Sequence, residues 1–241
     1  MKFAEFLADA DAERAARTFD RLQRHDLESL ALAGGFAIEL HLRLCGQQAE
    51  LRPLNDIDFL AEDFEAMPTT LVEDFIFRHV HPHDAPGKTL LQAVDPETAV
   101  RVDVFSGYGA EMERTEAAEI GEFSMRVISL EDLAARSARL SMDLALDMPL
   151  PAKHARDFLR LLPMVDGAEM EPIWQEHRKP AHPESFAEAA ELLKKLIAQR
   201  ADLQIVPEYS RDAEAVCPRC KPIGEFPLAD GGRVLGLLGY C

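Results

Sequence analysis

Apolar residues open the chain at helical spacing. Phe3, Phe6, Leu7, Ala10 and Ala15 fall along one stripe of a charge-rich segment, which predicts an amphipathic helix over 3–24. The period then shortens: Ser29-Leu30-Ala31-Leu32-Ala33 is a brief apolar run that stops at Gly34-Gly35, and its length suits a strand. From Phe36 the apolar positions return at 36, 40 and 44, giving a helix that ends at Gly46. Strand-like runs follow over 56–60, 75–80, 89–94 and 100–105, with a short helix over 69–74 before the second of them. Asp95-Pro96-Glu97-Thr98 is turn chemistry, so the two runs around it should pair as a hairpin. After a last strand over 123–128 the period becomes helical. Ser129-Leu130-Glu131-Asp132 resembles a capping box with Asp where Glu or Gln is usual. Helices are expected near 130–146, 151–163 and 183–201, with 164–182 as a connecting segment.

This order of elements predicts an α/β (α+β) fold: a small mixed sheet flanked by helices, a helical C-terminal half and a cysteine-bearing tail. The expected divisions are 1–128, 129–202 and 203–241. Composition supports a packed core, with 47% apolar and 29% charged residues. The formal charge of -17, from 26 basic and 43 acidic residues, repels a phosphate backbone and argues against broad nucleic-acid binding. It is compatible with a metal–nucleotide ligand, because the metal brings counter-charge to the phosphates. Four cysteines are too sparse for a disulfide scaffold. Met1-Lys2-Phe3-Ala4-Glu5 holds no signal-like apolar run, and no stretch approaches the roughly 20 apolar residues that span a bilayer, so a cytoplasmic location is expected.

Candidate chemistry lies in the strands. Asp56 and Asp58, two apart, point to one face while Ile57 and Phe59 point to the core. Asp103 repeats the arrangement between Val102 and Val104. With 43 acidic residues in 241, an isolated Asp-x-Asp means little, so context must decide. If the two strands are neighbours, three carboxylates converge, and side-by-side carboxylates require a cation. Hard oxygen ligands suit Mg²⁺, which takes the rest of its shell from water and substrate phosphates. Gly34-Gly35 stands at a strand-to-helix junction, where backbone N–H groups and the helix dipole form a phosphate cradle.

Three segments carry a resemblance: Ala31-Leu32-Ala33-Gly34-Gly35-Phe36-Ala37, Asn55-Asp56-Ile57-Asp58-Phe59-Leu60 and Arg101-Val102-Asp103-Val104-Phe105. Together they resemble the nucleotidyltransferase superfamily of polymerase-β-like fold, in particular its bacterial toxin and antibiotic-modifying members. Ser129-Leu130-Glu131-Asp132-Leu133 and Lys153-His154-Ala155-Arg156-Asp157 are similar to the helical half of the abortive-infection toxin type, so the likeness spans roughly 28–163. It implies Mg-dependent transfer of NMP from an NTP, ATP first, to a hydroxyl, with release of pyrophosphate. Asp56 and Asp58 would bind two Mg²⁺ ions, with Asp103 completing the metal site and activating the attacking hydroxyl. Gly34, Gly35, Asn55 and Lys153 would hold the nucleotide.

Two departures stand out. The interval from Gly35 to Asp56 is longer than in the smallest relatives, and Arg136 or Arg139 stands where relatives often carry a phosphate-binding Lys. A small molecule, a protein hydroxyl and a tRNA end all remain open as acceptor. A different class of function is a catalytically inactive nucleotide-binding or toxin–antitoxin module, and phosphorylation or hydrolysis is a third reading.

Other features read less sharply. Lys153 and Asp157, four apart, form either a surface pair or, for Lys153, a reach to the triphosphate. His79, His81 and His83 alternate and would share a strand face, as polar surface, as zinc ligands or as lining of an acceptor cleft. Cys217-Pro218-Arg219-Cys220, with Cys241, resembles part of a structural Zn²⁺ site whose fourth ligand would be His177, His182, Asp230 or the terminal carboxylate. A redox pair and free thiols are the rival readings.

Overall fold

Alternation along Asp56–Ala61 is realised as a strand, and the reason is visible on its two faces. Ile57 and Phe59 are fully buried, whereas Asp56 and Asp58 face a more open side. The computed structural model describes residues 1–47, 51–62, 67–82, 89–147 and 152–199. Within these, a seven-stranded sheet is formed by β1 (Leu30–Ala33), β2 (Asp56–Ala61), β3 (Ile76–Pro82), β4 (Thr89–Val94), β5 (Arg101–Ser106), β6 (Glu116–Ile120) and β7 (Phe123–Val127). Their spatial order is β3-β4-β5-β2-β1-β7-β6. Parallel pairing joins β2 to β5 and β1 to β7, and the remaining neighbours are antiparallel. The turn at Asp95 closes the β4–β5 hairpin, with Asp95 Oδ1 accepting from the Glu97 backbone N–H at 2.9 Å.

The helices are α1 (Asp9–Leu22), α2 (Gly34–Leu44), α3 (Leu71–Asp74), α4 (Leu130–Asp147), α5 (Ala152–Leu161), α6 (Gly167–His177) and α7 (Phe186–Gln199). Phe3, Phe6, Phe19, Phe36, Phe59 and Phe123 pack over the apolar side of the sheet, with Phe6 set edge-on to Phe36 at 5.1 Å between ring centres. This aromatic cluster ties α1 and α2 to β2 and β7, and its geometry contributes beyond simple area burial. From Leu130 onward the described chain is helical, giving the α/β architecture a helical C-terminal half. Trp174 is fully buried there and donates its indole N–H to the Pro183 carbonyl at 3.0 Å. No helix among the described residues is long and apolar enough to cross a membrane.

Three expectations change. The helix expected over 3–24 is broken: Phe3–Glu5 forms a single 3-10 turn and Ala8 is extended (ψ 150°) before α1 begins. There the backbone is drawn aside to bond another segment, the Phe6 carbonyl accepting from the Arg52 N–H at 2.7 Å. The segment 164–182 was expected to connect, yet 167–177 is α6, capped by Asp166 accepting from the Ala168 N–H at 2.8 Å. Pro172 removes one helical hydrogen bond, but Met170, Ile173, Trp174 and His177 are buried at helical spacing and offset that loss. β6 was not anticipated. It is a polar edge strand, mostly exposed, and therefore shows no apolar alternation.

Candidate functional site

Register across the sheet decides where the carboxylates meet. Ala33 of β1 lies opposite Asp58 of β2, Asp58 opposite Asp103 of β5, and Asp103 opposite Gln92 of β4. Asp56, Asp58 and Asp103 each offer a carboxylate oxygen, and these oxygens lie within 4.8 Å of one another. Directly after Ala33, Gly34 starts α2 with a φ of +57°. A Cβ on Gly34 would lie 1.8 Å from Asp58 Oδ2, so the carboxylate occupies the space that any larger residue needs. Gly35 differs: a Cβ there would meet the Arg52 guanidinium carbon at 3.5 Å, an ordinary contact. The left-handed turn therefore needs Gly34, and no equal steric demand falls on Gly35.

Burial raises the Asp58 carboxyl well above the usual carboxylate range, and the charges of Asp56 and Asp103 push it further in the same direction. Asp103 is pushed up to about 7, mainly by burial, with Arg101 opposing and Asp56 adding to the rise. Arg101 sits among these acids. Its guanidinium bonds Asp56, and its Nε lies 3.0 Å from Asp103 Oδ2. Asp103 Oδ1 is buried and accepts no hydrogen bond among the described residues. Crowded acids with an unshared buried oxygen are the donor set a hard divalent cation satisfies, so these residues fit Mg²⁺.

Two helices, α2 and α5, stand beside the acids. The N-cap of α2, Ala33, contributes no side-chain cap, leaving the helix N-terminus to backbone donors beside the acids. Asn55 is half-buried immediately before β2. Lys153, on α5, is close enough to Asp58 for its charge to favour the ionised carboxylate. Asp157 corrects the surface-pair reading: it is 4% exposed and accepts from Arg52 Nη2 at 2.5 Å. Arg52 also donates to Glu39 at 3.0 Å, and Arg160 donates to the same fully buried Glu39 at 2.6 and 3.1 Å. This network joins α2, the segment before β2 and α5, and so fixes Lys153 relative to the Gly34 turn. Burial beside Lys153 and Arg52 lowers the His154 imidazole to about 4.

Several other residues named from the sequence sit elsewhere. Arg136 bonds Glu111, and Arg136 and Arg139 stack on the Tyr108 ring at 4.6 and 4.5 Å from its centre. His79 and His81 lie in β3, with His79 in register with Gln92 and His81 with Leu90, while His83 lies outside the described residues. Cys217, Cys220, Asp230 and Cys241 also lie outside them. Both histidines considered as a fourth zinc ligand are engaged within the helical half. His177 Nε2 is 2.9 Å from Asp132 Oδ1, and His182 bonds Asp143 at 2.9 Å and the Lys179 N–H at 3.2 Å.

Arg101, Arg52 and Glu39 carry no expected role in the sequence. For Arg101 a signal existed, since residues two apart on a strand share a face and Arg101 precedes Asp103 by two. For Glu39 and Arg52 none did, because their pairing is a tertiary contact. A second buried cluster, Glu111, Asp132 and His177, was equally hidden. Its carboxylates are already held: Arg114 grips Asp132 at 2.7 and 2.8 Å, and Arg136 grips Glu111. Burial opposes the Asp132 charge, but Arg114, His177 and the Ser129 hydroxyl outweigh it and keep this carboxyl well below its ordinary range. The arrangement reads as a clamp between the β5–β6 connection, α4 and α6.

No family model and no curated protein sequence matches the chain. Among solved structures, the chain is similar to an antigenic nucleotidyltransferase-like protein from Paracoccidioides brasiliensis, at 15% identity over 82% of this chain and 91% of that one, with a TM-score of 0.41. A protein from Thermotoga maritima with a provisional nucleotidyltransferase label matches at 14% identity over 73% and 99% of the two chains, TM-score 0.38. One from Helicobacter pylori with the same provisional label matches at 13% identity over 81% and 99%, TM-score 0.30.

Proposed function

We propose that this chain transfers a nucleotidyl group from a nucleoside triphosphate, ATP in the first instance, to a hydroxyl acceptor in a Mg-dependent reaction. The observation that carries the reading is the Gly34 turn seated on Asp58, with Asp56 and Asp103 converging beside it. Asp56, Asp58 and Asp103 would hold two Mg²⁺ ions. When bound, these supply counter-charge to the attacking and leaving oxygens of an in-line displacement. The N-terminus of α2 receives phosphate oxygens on its backbone N–H groups, and Lys153 adds positive charge from the side of α5. The Asp103 carboxylate orients the acceptor hydroxyl and draws off its proton. The acceptor oxygen bonds to the α-phosphorus as the bond to the departing pyrophosphate breaks.

The test is incubation with each labelled NTP and fractionated cell lysate, reading both label transfer and pyrophosphate. Stoichiometric pyrophosphate with one labelled fraction is expected, falling by at least about 100-fold in Asp56→Asn. Undiminished transfer by that variant, or release of ADP and phosphate, would overturn the reading. Mg-dependent ATP binding without pyrophosphate on any fraction would instead assign a binding module without turnover.

A further inference from the structure

One cation already stands where the acids converge. Arg101 opens β5 directly opposite Asp56 in the parallel register, and its side chain lies on the face that also carries Asp103. Its planar guanidinium bonds Asp56 Oδ2, and its Nε stands 3.0 Å from Asp103 Oδ2. Those are oxygens that a divalent ion would need, at metal–oxygen distances of about 2.1 Å that leave no room for a guanidinium on the same lone pairs. The side chain is 43% exposed, so it can leave toward solvent without crossing the core. Arg101 shares β5 with Asp103, but its long side chain can swing away while the short Asp58 and Asp103 side chains stay with their strands.

We propose that Arg101 is a resident counter-cation. It holds the carboxylates together before a metal arrives and competes with a divalent metal for them. Without it, three crowded acids repel one another; with it, metal entry must displace an ion pair. A nucleoside triphosphate changes that balance, because its phosphates give the displaced guanidinium a bidentate partner. Metal loading is thereby coupled to nucleotide arrival. This proposal rests on the metal-binding reading above and makes Arg101 a positioning residue for it.

Mn²⁺ titration, followed by the spectroscopic signal of the free ion, tests the proposal in the wild-type chain, Arg101→Gln and Arg101→Lys without nucleotide. Arg101→Gln should bind Mn²⁺ about tenfold more tightly than wild type, within the usual range of coupling between two competing ligands. Adding a non-hydrolysable ATP analogue should tighten Mn²⁺ binding to wild type more than to Arg101→Gln. In chelator, Arg101→Gln should melt below wild type and recover more of its melting temperature on adding Mn²⁺. Arg101→Lys keeps the charge but cannot bridge two carboxylates with one planar group, and should fall between. It carries the comparison if Arg101→Gln does not fold. Equal or weaker Mn²⁺ binding by both variants relative to wild type would overturn the role of Arg101 while leaving the metal site standing. Absence of Mn²⁺ binding from all three proteins, with or without nucleotide, would overturn both.

Discussion

Gly34 and Gly35 are neighbours with different obligations. Gly34 has a φ of +57° and no space for a methyl group, since Asp58 Oδ2 lies 1.8 Å from its would-be Cβ. Gly34→Ala should cost about 2–4 kcal/mol and displace Asp58, from the joint cost of left-handed backbone and overpacking. Gly35→Ala should change stability by no more than about 1 kcal/mol. Urea unfolding of the two variants side by side checks this contrast. Asp58 itself is a liability in the metal-free protein, buried among like charges. Asp58→Asn should raise the melting temperature in chelator while removing nucleotidyl transfer, the expected trade between stability and activity. His154 gives a pH signature. Its folded value of about 4 lies below the ordinary 6.5, so the neutral form is favoured on folding. Stability from this group is full above about 6.5 and is lost as pH falls toward about 4. Melting curves across that window should show an acid-side loss that His154→Gln flattens.

At the scale of elements, the sheet and the helical half share one apolar core, and a buried polar network adds a second tie between them. Glu39 on α2 holds Arg52 and Arg160 at once, and Arg52 extends the chain of contacts to Asp157 on α5. Removing one member of such a network leaves charges stranded. Glu39→Ala should cost about 3–5 kcal/mol by chemical denaturation, far more than loss of an exposed ion pair. Near-wild-type stability would show that the arginines find other partners. The elements differ in how plainly they could be read beforehand. α2 and α4 display an apolar period along the chain, although α2 is buried on every side from Phe36 to Leu42. β6 does not, since an edge strand can pair its backbone without burying a face, and α6 is obscured by Gly167 and Pro172. In both cases the evidence for the element lies in its partners.

Across the whole molecule, acidity is the dominant electrostatic fact. A formal charge of -17 implies self-repulsion in the folded state, which salt screens. Raising ionic strength from about 10 to about 150 mM shortens the Debye length from roughly 30 to 8 Å. The melting temperature should rise across that range; a fall would mean that specific ion pairs such as Arg114 with Asp132 outweigh the global term.

What the sequence determined by itself was local. Alternation placed Asp56 and Asp58 on one face of a strand and Asp103 on the outer face of another. The double glycine marked a strand-to-helix turn. Only the tertiary structure decided that these faces are the same face. β2 and β5 are adjacent and parallel although the β3–β4 hairpin lies between them along the chain, and the Asp58–Asp103 register follows from that crossover. It was also tertiary packing that seated Asp58 beneath Gly34 and set Arg101 against Asp56. The physical reason is that periodicity reports which side of an element is buried. Strand order and register arise from contacts between distant residues, which leave no mark on the local pattern.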